Sequence, residues 1–224
     1  MQGYRHYGVI LHPQSLGWGF YIEVIGLGKL VLVLGGARSG KSRFAEELAA
    51  AIGKEDVVYL ATAEAGDEEM KERIRLHQEM RPSCWRTVEE TVKVARAIKA
   101  QGRSKVILVD CLTLLVSNLL FQGGEFKEDA GAMVAKEKEV LVEIEEAAKA
   151  AKEVEATVIM VANEVGLGLV PPYPMGRAYR DAAGRANQLV ARYADEVYFT
   201  IAGIPLELKD LNRQLVDRLG REKR

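Results

Sequence analysis

The residues with the plainest chemical meaning form one run, Gly35-Gly36-Ala37-Arg38-Ser39-Gly40-Lys41-Ser42. Glycines at this spacing let the backbone wrap closely around phosphate oxygens, while successive amides and the start of a following helix supply partial positive charge. Lys41 is expected to reach the β- and γ-phosphates of a bound nucleotide. The Ser42 hydroxyl is then placed to ligate a Mg²⁺ bridging those phosphates, which spares a hard cation the need for a full protein cage. Apolar Leu30 to Leu34 precedes the run and a helical pattern follows it, which is the strand-loop-helix context a phosphate loop requires.

Two further residues bear on this chemistry. Val106-Ile107-Leu108-Val109-Asp110 reads as an apolar strand ending in an acid, so Asp110 is the candidate second metal residue; the alternative is an Asp capping the helix near Thr113. His77 is the one histidine beyond the first 29 residues, and Arg73 and Arg81 stand four positions to either side, along nearly one helical face. Cationic neighbours attract phosphate and favour a neutral imidazole at pH 7, the form able to attack phosphorus. On spacing alone, a surface histidine on a charged helix is the preferred reading.

These residues need a scaffold, and the pattern around them describes one. From Leu30 onward, short runs of Val, Ile and Leu alternate with longer helical patterns, the sequence habit of a parallel sheet covered on both faces. The expected fold class is α/β. Strands are expected at Leu30 to Leu34, Val57 to Leu60, Val106 to Val109, Thr157 to Val161 and Glu196 to Ile201, with Leu206 to Leu208 as an added edge. Helices are expected at Lys41 to Ile52, Asp67 to Met80, Thr91 to Ala100, Thr113 to Phe121, Ala130 to Glu153 and Met175 to Tyr193. The long Ala130 to Glu153 segment carries an apolar stripe that suits a helix lying on a sheet, with a short coiled coil as the alternative.

Composition narrows the function. The chain has 224 residues, the size of one ordinary domain, and its 31 Lys+Arg against 32 Asp+Glu give a formal charge of -1. That balance offers no long-range attraction to nucleic acid or to an anionic membrane. Cys84 and Cys111 lack disulfide-framework or zinc-ligand spacing, so a reducing cytoplasm is expected. Residues 1–29, with six glycines and no helical period, are expected to be a non-catalytic extension, an extra strand or hairpin being the alternative. Glu23 interrupts their longer apolar run, which argues against a signal peptide, and no run approaches the roughly 18 residues of a membrane-spanning helix. Residues 209–224 are locally basic with acids interleaved, and a disordered or loosely docked tail is expected there.

The motifs together are more specific than the phosphate loop alone. Gly35 to Ser42, Tyr59-Leu-Ala-Thr-Ala63, Asp67 to Ile74 with His77 and Arg81-Pro82, and Trp85 to Glu89 occur in order. Asp110-Cys-Leu-Thr113, Asn118 to Leu120, Asn163-Glu-Val-Gly-Leu-Gly168, Val170-Pro171 and Arg180 to Gln188 follow. Over about residues 30 to 208 the chain resembles the bifunctional adenosylcobinamide kinase / adenosylcobinamide-phosphate guanylyltransferase family of cobalamin biosynthesis.

The resemblance implies a RecA-like P-loop fold, a homotrimer and two successive reactions. Adenosylcobinamide first takes the γ-phosphoryl of ATP or GTP; a GMP unit from GTP is then joined to the new phosphate, and pyrophosphate leaves. It also makes His77 the residue that is transiently guanylylated, which reverses the reading of its spacing. Ala61, Thr62, Ala63, Gln78, Glu79, Met80, Arg81 and Glu89 match the family's GTP pocket. Arg73 or Arg81 is expected to stabilise charge on the transferring group. Asn163 to Gly168 read equally as a substrate-contacting motif and as a glycine-permitted turn. The large corrinoid is expected in a shallow surface or intersubunit groove with only its aminopropanol arm at the phosphates. Two departures stand out: Asp110 where some relatives have Glu, and Leu76 beside the single His77. A monofunctional P-loop kinase and a GTP-dependent switch are the rival functions; neither has a use for a guanylylated His77.

Overall fold

A computed structural model describes residues 28–64, 81–122 and 130–221, together with 68, 71, 72, 75, 78 and 79. Strands buried on both faces need apolar side chains at every position rather than alternate ones. That is what β1 (Leu30–Gly35), β2 (Val57–Ala61), β4 (Val106–Asp110) and β5 (Thr157–Asn163) provide, each buried along all or nearly all of its length. With β3 (Arg86–Glu89), β6 (Glu196–Ile201) and β7 (Ile204–Glu207) they form, among the described residues, one seven-stranded sheet in the order β3-β2-β4-β5-β1-β6-β7. Every pairing is parallel except β6 with β7.

Helices cover both faces, unequally. Helix α1 (Lys41–Gly53) lays Phe44, Ala45, Leu48 and Ala49 against Val31, Val33 and Tyr59 on one face. The other face takes α2 (Val94–Gln101), α3 (Leu112–Phe121), α4 (Ala130–Glu153) and α5 (Pro174–Tyr193), which pack over Leu30, Leu32, Ile107 and Val158. The α/β class read from the sequence is the one observed. Strand β5 lies between the phosphate-loop strand β1 and the Asp110 strand β4. The long α4 segment lies on the sheet, burying Val140, Ile144 and Ala148 there.

Three elements differ from expectation. Strand β3 has no apolar run to announce it: its four residues alternate between exposed and half-buried, as an edge strand's do. The added edge strand is Ile204–Glu207 rather than Leu206 to Leu208, because a two-residue turn at Ala202-Gly203, with both φ angles positive, closes a tight hairpin with β6. The expected loose tail is instead a helix, α6 (Leu208–Arg221). Its start is held by Glu207, whose carboxylate accepts the amides of Lys209 and Asp210. The expected Asp67 to Met80 helix lies largely outside the described residues, although 68, 71, 72, 75, 78 and 79 are helical. Residues 1–27 lie outside them as well.

Ile144 is fully buried where α4 meets the sheet. Ile144→Ala is expected to lower the unfolding free energy by about 2–5 kcal/mol, read as a fall in urea midpoint at unchanged slope.

Candidate active site

The carboxyl ends of the parallel strands meet in register along one edge of the sheet. Ala61 pairs with both Glu89 and Asp110, Asp110 with Val161, and Gly35 with both Asn163 and Thr200. Open α/β sheets bind ligands at this edge, and it gathers the phosphate loop, Asp110 and Glu89 without any long excursion of the chain.

The phosphate loop leaves β1 at Gly35 and returns as α1. Gly40 has φ 93°, a left-handed conformation suited to glycine, and no side chain caps the helix. The first turn of α1 holds no Asp or Glu, so its amides meet no competing carboxylate. Lys41 Nζ lies 3.4 Å from the Gly36 carbonyl oxygen, folded over the loop it would share with a phosphate. The loop is braced from outside: the Gly203 amide in the β6-β7 turn donates to the Ser39 carbonyl at 2.8 Å.

Beside the loop sits a second cluster, on the face that α1 covers. The Tyr59 hydroxyl donates to Asp110 Oδ2, and the Arg81 guanidinium stacks 3.3 Å above the Tyr59 ring. Burial first, and the Asp110 charge second, hold the Tyr59 phenol far above its usual range, so it stays a donor. Arg81 Nε and Nη1 are buried without a hydrogen-bond partner among the described residues. A guanidinium in that state is poised to receive an anion. Glu46, one helical turn beyond Ser42, has its carboxyl pushed upward by burial first and then by the Asp110 charge. The Arg81 charge acts on Glu46 in the opposite sense.

A Mg²⁺ fits this donor set. Ser42 and Asp110 supply oxygen ligands of the kind the ion prefers, and the charge excess shared by Asp110 and Glu46 is one a divalent cation relieves. Among the described residues no group of three or more His, Cys, Asp or Glu could hold a metal. An ion here would therefore rely on substrate phosphates to complete its shell, as Mg²⁺ commonly does.

Of the expected nucleotide-contacting residues, Gly35 to Ser42, Ala61, Ala63, Arg81, Glu89 and Asp110 all lie at or beside this edge. Gln78 and Glu79 are exposed helical residues, and Glu79 is paired with Arg75. His77, Met80 and Arg73 lie outside the described residues. Thr62, just past the end of β2, is held within the fold. It is fully buried, its hydroxyl donates to the Cys111 carbonyl at 2.8 Å and accepts the Cys111 amide at 2.7 Å. Its own carbonyl accepts Asn118 Nδ2 at 2.8 Å, and that amide also donates to the Thr91 carbonyl at 2.9 Å. Thr62 and Asn118 thus fix the chain at and just after Asp110. Tyr59, Glu46, Asn118 and Gly203 carried no such role in the sequence reading. Only Gly203 had a local signal, a glycine between two strand-like runs.

Comparison with known proteins agrees with this geometry. A family model described as cobinamide kinase / cobinamide phosphate guanyltransferase matches residues 31–208. The bifunctional adenosylcobalamin biosynthesis protein CobU of Escherichia coli (strain K12) is 42% identical over 183 residues, 80% of this chain and 99% of that protein. CobP of Pseudomonas aeruginosa, which bears the same bifunctional description, is 44% identical over 179 residues, 80% of this chain and 96% of its own. Among solved structures, the flagellar accessory protein FlaH of Methanocaldococcus jannaschii aligns with a TM-score of 0.44 at 14% identity, over 82% of this chain and 79% of that one. No helix among the described residues is long and apolar enough to cross a membrane.

The two cysteines differ in a way a reagent can read. Cys84 is exposed, whereas Cys111 is buried and its thiol is pushed up to about 11, by burial first and the Asp110 charge second. The upward shift lowers the thiolate fraction at pH 8. A maleimide at that pH is expected to label one thiol per native chain, at Cys84, and the second only after unfolding.

Proposed function

This chain belongs to the cobinamide kinase / cobinamide phosphate guanyltransferase family, and from that premise we propose how its sheet-edge site carries both reactions. The chain is a bifunctional enzyme of cobalamin assembly: it phosphorylates adenosylcobinamide, then transfers GMP from GTP to the new phosphate to give adenosylcobinamide-GDP and pyrophosphate. The observation that carries the mechanistic reading is the register that sets Ala61 beside Asp110, and Gly35 beyond the intervening β5, at the edge where the family's motifs cluster.

In the first reaction the aminopropanol oxygen attacks the γ-phosphorus of ATP or GTP, and the bond to the bridging oxygen breaks. Charge spreads over the departing and transferring oxygens, so the site's task is positioning and neutralisation. Lys41 and the amides of Gly36 to Ser42 hold the phosphates. Ser42 and Asp110 would hold Mg²⁺, which when bound neutralises charge across the β- and γ-oxygens. Asp110 keeps its orientation through Tyr59 and the Thr62 clamp.

In the second reaction His77 attacks the α-phosphorus of GTP and pyrophosphate leaves. An oxygen of adenosylcobinamide phosphate then attacks the same phosphorus, breaking the nitrogen-phosphorus bond and restoring the imidazole. Arg81, with two guanidinium nitrogens that have no partner among the described residues, receives the phosphoryl oxygens. Ala61, Ala63, Gln78, Glu79, Met80 and Glu89 belong to the GTP pocket; Thr62 supports it from behind. A homotrimeric assembly and a cytoplasmic location belong to the same proposal.

The test is to incubate the protein with Mg²⁺ and GTP labelled at the α-phosphate. Acid-labile, base-stable label is expected on the wild type and none on His77→Ala, which keeps most of its phosphorylation of adenosylcobinamide. A folded, nucleotide-binding wild type that takes no label would point to a monofunctional kinase instead.

A further inference from the structure

The loop that follows β5 carries apolar side chains that the core does not take. Val165 packs partly against the core, but Leu167, Leu169 and Val170 are 80%, 96% and 64% exposed, and Tyr173 and Met175 are exposed beside them. Isolated exposed hydrophobic residues are ordinary, whereas a cluster on one loop marks a binding surface.

This loop is built, not slack. Glu164 Oε1 accepts the Gly166 amide at 2.6 Å. Arg177 Nη1 donates to the carbonyls of Pro171 and Pro172 at 3.1 and 2.8 Å. Helix α5 approaches so closely at Gly176 that a β-carbon there would lie 2.6 Å from the Tyr173 ring and 2.7 Å from Pro171 Cβ. These contacts order the loop before any ligand arrives, which lowers the entropic cost of binding.

The same loop starts at the phosphate site. The Glu164 amide donates to the Gly35 carbonyl at 3.0 Å, and Asn163 Oδ1 is buried without a hydrogen-bond partner among the described residues. An alcohol that receives a γ-phosphoryl group must approach the phosphate loop from the solvent side of this edge. The bulk of the molecule must then rest beside it. Corrin is a broad macrocycle with methyl-bearing, largely apolar faces between polar amide arms, and a braced apolar surface next to the phosphates matches that shape and chemistry.

We propose that Leu167, Leu169 and Val170, on the braced loop of residues 164–173, form the platform that carries the corrin ring of adenosylcobinamide while its aminopropanol arm reaches the phosphate loop. The inference rests on the cobinamide kinase reading above.

The test uses Leu169→Ser and the double variant Leu167→Ser/Leu169→Ser in the kinase assay, with assembly size followed by sedimentation. Both side chains are solvent-exposed, so folding is expected to be unaffected. The KM for adenosylcobinamide is expected to rise at least tenfold in the double variant, with the KM for ATP and the assembly size unchanged. An unchanged corrinoid KM, while the wild type phosphorylates adenosylcobinamide, would overturn the platform alone. A smaller assembly with unchanged corrinoid KM would overturn it in favour of an interface between copies. A wild type that does not phosphorylate adenosylcobinamide would defeat the kinase reading and the platform with it.

Discussion

A β-carbon at Gly35 would lie 2.4 Å from Ser39 Oγ and 2.8 Å from the Thr200 carbonyl oxygen. The chain can leave β1 and fold back over its own end only because that atom is missing. Gly40 completes the reversal, and even there a β-carbon would meet Gly203 at 3.0 Å. The phosphate loop is therefore wedged between its own strand and the β6-β7 turn, and the Gly203 amide pins it at Ser39. Amides aimed at a phosphate are worth most when they need not reorganise on binding, and this packing keeps them fixed.

Next to that electropositive cradle the fold puts its opposite. Asp110 and Glu46 bring negative charge to a half-buried corner, with Tyr59 donating to one carboxylate and Arg81 stacked above the ring. A cradle that attracts phosphate beside a pair of carboxylates suits the phosphate-metal complex proposed above. Strand β5 separates the two halves in the sheet, and its end is held by Thr113 and Asn187, which bond the Asn163 amide and carbonyl. The loop leaving that strand is then the natural shelf for the rest of a large substrate.

Much of this was legible in the sequence, for physical reasons that differ by element. Strands β1, β4 and β5 could be read because burial on both faces demands an unbroken apolar run. The glycine spacing at Gly35 and Gly40 could be read because left-handed and sterically closed positions exclude other residues. Strand β3 escaped because an edge strand keeps one side in water and has no such run. Helix α6 is hard to read because its basic and acidic residues dominate the composition, and only the Leu208, Leu211, Leu215 spacing marks an amphipathic helix rather than a disordered tail. The Tyr59-Asp110 bond and the Thr62-Cys111-Asn118 clamp join residues about 50 positions apart or more, and nothing local announces such contacts. Thr62 shows the consequence: a residue in the right motif can serve the site wholly from behind it. The role proposed for His77 rests on family resemblance, because its spacing alone favours an ordinary surface histidine.

The central claim is that one phosphate cradle serves both reactions, with the γ-phosphorus attacked in one and the α-phosphorus in the other. Lys41→Ala, with phosphorylation and pyrophosphate release measured in separate assays, tests it most directly. The account predicts that both rates fall together by roughly a hundredfold or more, the scale on which removing a charge-stabilising group acts. Loss of phosphorylation with pyrophosphate release left intact would contradict it, and would mean that GTP is guanylylating the enzyme from a second nucleotide site.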